Sequence, residues 1–86
     1  MVEIHFETNK KLTIIDCSDL FPPEPMVKVL EAVETLNSDE AVLMIHRKDP
    51  RLLYNKLEER HCGFETKLEN DGSVQVLIWK KDNEDQ

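Results

Sequence analysis

Ala41-Val42-Leu43-Met44-Ile45-His46-Arg47-Lys48-Asp49-Pro50-Arg51-Leu52-Leu53-Tyr54 is the stretch that decides the fold. Its first five residues are an unbroken apolar run, short and flanked by polar turns. Such a run predicts a strand covered on both faces. Asp49-Pro50 then reads as a helix start, with the aspartate capping and the proline at the first helical position, where its missing N–H is no loss. Leu52, Leu53 and Leu57 give that helix its apolar stripe, and Gly63 is the expected left-handed terminator. Cys62 would then sit at the end of this helix.

Working upstream, Asn37-Ser38-Asp39-Glu40 is a polar connection. Before it, Met26, Val29, Leu30, Val33 and Leu36 fall at helical spacing, which predicts a helix from Pro23 to Leu36. Pro22, Pro23 and Pro25 suit only its start, and Glu24 in the first turn favours the helix dipole. Leu12 to Asp16 is apolar and β-branched, a strand. Val2 to Glu7 alternates weakly and is read as an additional N-terminal strand that could pair with it as a hairpin.

Downstream, Phe64, Thr66 and Leu68 alternate with Glu65, Lys67 and Glu69, the pattern of a half-exposed strand. Asn70-Asp71-Gly72 marks a tight turn, and Val74 to Trp79 forms the last strand. The resulting order is β-α-β-α-β-β, an α+β fold. It is a two-layer α/β sandwich with a mixed four-stranded sheet and both helices on one face. Residues 1–80 form the domain, and 81–86 an acidic tail with nothing apolar to bury.

Composition narrows the function classes. The 86 residues carry 18 acidic and 11 basic side chains, a net charge of −7. A polyanion binder needs the opposite sign, so nucleic acid is not an expected partner. No run approaches the roughly 20 apolar residues of a membrane helix, and residues 1–5 lack the pattern of a secretory signal. Two cysteines make no disulfide framework, so a reducing cytoplasm is the expected setting. A domain this small buries only about 60% of its unfolded surface. Binding is therefore expected at an edge or on a face, not in a deep chamber.

Two segments carry a family resemblance. Ile15-Asp16-Cys17-Ser18-Asp19-Leu20-Phe21-Pro22-Pro23-Glu24-Pro25 resembles, without gaps, the TusA/SirA sulfur-carrier signature Leu-Asp-x-Arg-Gly-Leu-x-Cys-Pro-x-Pro. Asp49-Pro50-Arg51-Leu52-Leu53-Tyr54 followed by Leu57-Glu58-Glu59-Arg60 is similar to a branch of that superfamily, the domain of unknown function 2249. The resemblance runs from Leu12 to Lys80. It implies a sheet in which strand one lies beside two, then four, then three. It also places Pro22 where the carriers have their cysteine, and Ser18-Asp19 where they have Arg-Gly. The branch often has Asp-His before its Asp-Pro. Here Arg47-Lys48 stand there, so no role of that histidine carries over.

A cysteine at a helix N-terminus is activated because the dipole and free N–H groups favour the thiolate. Pro22 has no sulfur and can hold no persulfide. Cys17 lies five residues earlier, on the face of Ile15, where a buried thiol is the ordinary expectation. Cys62 would meet the unfavourable end of its helix dipole. His5, His46 and His61 are scattered and show no zinc spacing. No metal, cofactor or catalytic constellation is expected, and the chain is not read as an enzyme.

Two surfaces remain. At the carboxyl ends of strands one and two, Phe21, Pro22, Pro23 and Glu24 would face Arg47, Lys48, Asp49 and Arg51, so an anionic group or a partner carboxylate could be recognised there. On the sheet face away from the helices, an apolar strip with Leu77 and Trp79 would suit a protein partner or a second copy, unless the segment around Ile4 and Phe6 covers it. The sequence thus reads as a non-enzymatic, TusA-related interaction module with an unidentified protein partner. The alternative is a sulfur-relay or redox accessory role through Cys17.

Overall fold

A computed structural model describes residue 4 and residues 6–81 of the chain; the acidic tail at 82–86 and His5 lie outside the described residues. Six elements follow in order: β1 (Lys11–Asp16), α1 (Glu24–Glu34), β2 (Glu40–His46), α2 (Arg51–Glu59), β3 (Cys62–Leu68) and β4 (Val74–Lys80). The sheet order is β1-β2-β4-β3. β1 runs parallel to β2, with Leu12 opposite Ala41 and Asp16 opposite Ile45. β4 is antiparallel to both of its neighbours, β2 and β3. The β-α-β-α-β-β two-layer reading therefore holds.

The continuous apolar run of β2 has the burial its composition predicts, since every residue from Ala41 to His46 is buried. Alternation divides these residues between two cores. Val42 and Met44 join Val74, Val76 and Ile78 of β4 beneath Val29 and Val33 of α1 and Leu53 and Leu57 of α2. Both helices thus cover one face. Ala41 and Leu43 point the other way and cluster with Leu77, with Phe6, Leu12 and Trp79 packed around them. Burying a side chain of this size contributes about 1.5–3 kcal/mol, so the second cluster is a substantial share of a small domain's stability.

That second face is covered by the chain itself. Phe6 lies on it, and the Lys67 ammonium sits 4.7 Å from the Phe6 ring centroid, a cation–π contact. The segment is tied again where Lys10 Nζ donates to the Ser38 carbonyl and the Lys11 N–H to Asp39. Among the described residues no strand precedes Lys11. Of the additional strand expected over residues 2–7, positions 2, 3 and 5 lie outside the described residues, and 4, 6 and 7 are not in a strand.

The start and end of α2 differ from expectation. Pro50 is the flanking residue and helix geometry begins at Arg51, with no side-chain cap. Asp49 does not cap because its carboxylate is engaged by the Tyr54 hydroxyl, 2.5 Å from Oδ1. At the other end His61, not Gly63, takes the left-handed conformation, with φ 56°. Cys62 is consequently not helical: it opens β3 and is fully buried. Gly63 has a different reason to be glycine. A Cβ there would lie 2.5 Å from the indole of Trp79, its cross-strand partner. The Asn70-Asp71-Gly72 turn forms as read, with Gly72 at φ 91°. Leu68, alternating inward by pattern, is 75% exposed at the end of the edge strand. Among the described residues no helix is long and apolar enough to cross a membrane.

Candidate functional site

Because β1 and β2 are parallel, their following loops lie side by side at one edge of the sheet. Cys17 N–H donates to the Ile45 carbonyl at 2.7 Å and extends the pairing past the strand end. Arg47 then joins the two loops: its Nη2 donates to the Leu20 carbonyl at 3.3 Å, and its guanidinium lies 5.4 Å from the centroid of Phe21. Phe21 is otherwise 69% exposed. Below this clasp is a cleft of about 340 Å³, lined by the Pro-rich start of α1, the end of β2 and the first turn of α2.

The walls of the cleft are largely apolar, from Pro22, Pro25, Met26, Met44 and Leu53. Its polar lining is His46, Lys48, Asp49 and Arg51. His46 is 6% exposed, and its Nδ1 has no hydrogen-bond partner. Burial pushes the imidazole pKa down, the Cys17 backbone carbonyl opposes this, and the Arg47 and Lys48 charges add to the lowering. His46 is therefore neutral at pH 7. Its Nδ1 is itself closed to solvent, so it sits behind the cleft wall.

On the rim, Lys48 is exposed and makes no ion pair among the described residues. Arg51 Nε stands 3.7 Å from Asp49 Oδ2 in a solvent-exposed pair, a geometry that contributes little. Asp49 is held more firmly by Tyr54. The phenol donates to Asp49, lies 2.6 Å from Thr66 Oγ1, and stacks on Phe64 with ring centroids 4.4 Å apart. The Tyr54 pKa is pushed up to about 12, first by burial and then by Asp49, with Thr66 opposing.

Since an unfolded phenol titrates near 10, this shift stabilises the fold in full below pH 10 and is lost as pH rises through about 12. Tyr54→Phe is expected to show a shallower loss of stability between pH 10 and 12 in denaturant melts. An unchanged alkaline slope would show that the Asp49–Tyr54–Thr66 network does not hold the phenol neutral.

Of the residues singled out from sequence, Pro22, Pro23, Lys48, Asp49 and Arg51 line the cleft together. Phe21 and Arg47 form the clasp above it. Glu24 is exposed at the first position of α1 and does not line the cleft. Cys17 and Cys62 are free and fully buried. The Cys17 thiol is pushed up by burial and by Asp16, against Lys28; the Cys62 thiol is pushed up by burial, against Lys80, Arg60 and Lys81. Neither has the depressed pKa of a reactive thiol. Leu77 is 7% exposed beneath the N-terminal segment, and Trp79 covers Gly63. Among the described residues no group of His, Cys, Asp and Glu could hold a metal.

His46 is the site residue the sequence reading passed over. The signal was present: 46 is in phase with 42 and 44 on β2, so its side chain had to point under the helices. Met26 and Met44 also read as ordinary core.

No curated protein matches this chain, and no solved structure does. A family profile, described as uncharacterized conserved protein (DUF2249), matches residues 14–80. The match runs from within β1 to the end of β4 and takes in both loops that build the cleft. This chain belongs to the DUF2249 family.

Proposed function

We propose that this protein is a non-enzymatic accessory module of the TusA-like type, working in the cytoplasm, and that it accepts an anionic group at the edge formed by the carboxyl ends of β1 and β2. The observation that carries this reading is the cationic rim of the cleft, where Lys48, which makes no ion pair among the described residues, stands beside the loosely held Arg51. The chain is strongly acidic overall, so a local cationic rim stands out against its own field. Two α-helices begin at this edge, and the positive ends of their dipoles add to the attraction for an anion. Pro22 stands where the TusA/SirA likeness would place a thiol, and burial keeps Cys17 protonated and enclosed. Both support binding over sulfur transfer.

Amide-detected NMR of the protein titrated with inorganic phosphate and sulfate tests the reading. Saturable shifts are expected at Arg47, Lys48 and Arg51. Unmoved resonances at all three would end it.

A further inference from the structure

The cationic rim borders an apolar surface larger than a lone anion needs. All four prolines of the chain, Pro22, Pro23, Pro25 and Pro50, stand in the lining of the cleft. Their fixed backbone angles make this wall rigid, so little freedom is lost when it is filled. Met26 and Met44 add thioethers to the lining, which make favourable contacts with aromatic rings. The apolar surface also continues outward. Leu52, in the lining, is 75% exposed, and Phe21, in the clasp above, is 69% exposed. A small molecule confined to about 340 Å³ would leave most of that surface in water. A polypeptide crossing the rim covers it. An apolar pocket continuous with exposed apolar residues and bordered by charge has the form of a protein-docking site.

Resting on the reading of this edge as an anion site, we infer that its ligand is an acidic segment of a partner protein, with one aromatic side chain seated in the cleft and flanking carboxylates on Lys48 and Arg51. Charge complementarity selects this occupant. Lys48 makes no ion pair among the described residues, and Arg51 holds Asp49 only loosely, in solvent. Asp49 is the acid in the lining, and its carboxylate is already engaged by Tyr54 and Arg51. Glu24 is exposed at the start of α1, outside the lining, and repels carboxylates from that side. The segment's acids are therefore held to the α2 side. A lipid surface fits less well. An anionic bilayer meets the wide field of a chain at −7, whereas a short segment meets the local rim.

The test titrates the full chain with a short capped peptide that carries one tryptophan between pairs of aspartates. Two further peptides replace the tryptophan by alanine or the aspartates by asparagine, and inorganic phosphate is the reference anion. The parent peptide should shift the methyl resonances of Met26 and Leu52 together with the amides of Lys48 and Arg51. The alanine peptide should bind at least about tenfold more weakly, the factor that burying one large apolar side chain supplies. The asparagine peptide should bind about threefold more weakly, as expected for exposed ion pairs. Leu52→Ser, a change at an exposed position, should weaken the parent peptide and leave phosphate binding as in the wild type. Equal affinity for the parent and alanine peptides overturns the aromatic anchor, and equal affinity for the parent and asparagine peptides overturns the acidic flanks. Phosphate shifts on the rim, with Met26 and Leu52 unmoved by every peptide, overturn the inference and leave the anion-accepting edge standing. If neither phosphate nor any peptide binds, the edge reading falls with it. Sedimentation of the chain with phosphatidylserine vesicles, or a dimer that Leu52→Ser dissolves, without peptide binding, gives this surface to a bilayer or a second copy and overturns the inference.

Discussion

Gly63→Ala is expected to lower the thermal midpoint, although alanine is by itself the better strand residue. Relieving a strand glycine of its conformational entropy favours the variant by roughly 0.5–1 kcal/mol. Against this, the new methyl would stand 2.5 Å from the Trp79 indole and within 2.7 Å of two further ring atoms. A bicyclic ring cannot yield as a lysine tip can. Trp79 is half-buried against Ala41, Leu43 and Leu77, so displacing it also opens the second core. Overpacking of this kind costs about 1–3 kcal/mol, which outweighs the entropic gain. In a domain of this size each kcal/mol lost moves the midpoint by roughly 4–8 °C. Calorimetry of Gly63→Ala, Trp79→Leu and the double variant should show losses that are less than additive, because the smaller side chain removes the clash. A midpoint raised by Gly63→Ala would mean that the indole does not lie over this glycine.

Leu43→Ala should be more damaging still, by about 2–5 kcal/mol. A chain of this length has only about 4–13 kcal/mol in total. Leu43 is fully buried on the face away from the helices, and Phe6, Leu12 and Trp79 enclose its cluster. On an uncovered sheet face the same truncation would cost little. Ile14, opposite Leu43 on β1 and 49% exposed, provides the internal control. Ile14→Ala should cost under about 1 kcal/mol by its partial burial. Urea melts of both variants decide the matter. A Leu43→Ala loss as small as that of Ile14→Ala would contradict the covered face.

Much of this architecture was readable from local pattern. The apolar run 41–45 could only be a central strand, and the proline cluster could only precede a helix. What local pattern could not show were effects set across the sheet. Gly63 looked like a helix terminator because its neighbours in sequence suggested one. Its true constraint comes from Trp79, sixteen residues later and opposite it in the ladder. Asp49 looked like a cap because Asp-Pro usually begins a helix, but the Tyr54 hydroxyl, itself held against Thr66, takes up its carboxylate. Whether the second face was covered could not be decided from sequence, because Phe6 lies in a segment too weakly patterned to place.

The candidate site divided the same way. Its charged rim, Arg47, Lys48 and Arg51, was visible as a basic cluster in an acidic chain. Its interior was not, because methionine, proline and a strand-end histidine are ordinary core residues until a cleft is found between them. Even among the three cations, sequence could not show that Arg47 is occupied in clasping Leu20 and Phe21 while Lys48 makes no ion pair among the described residues.

The anion-accepting edge is tested most directly by titrating the wild-type chain and Lys48→Glu/Arg51→Glu in parallel with inorganic phosphate, followed by amide NMR. The wild type should give saturable shifts confined to residues 20–25 and 46–52, and the charge-reversed variant, folded by its dispersed spectrum, should bind at least tenfold more weakly. Shifts of equal size in both proteins, or spread evenly over the surface, would contradict the account.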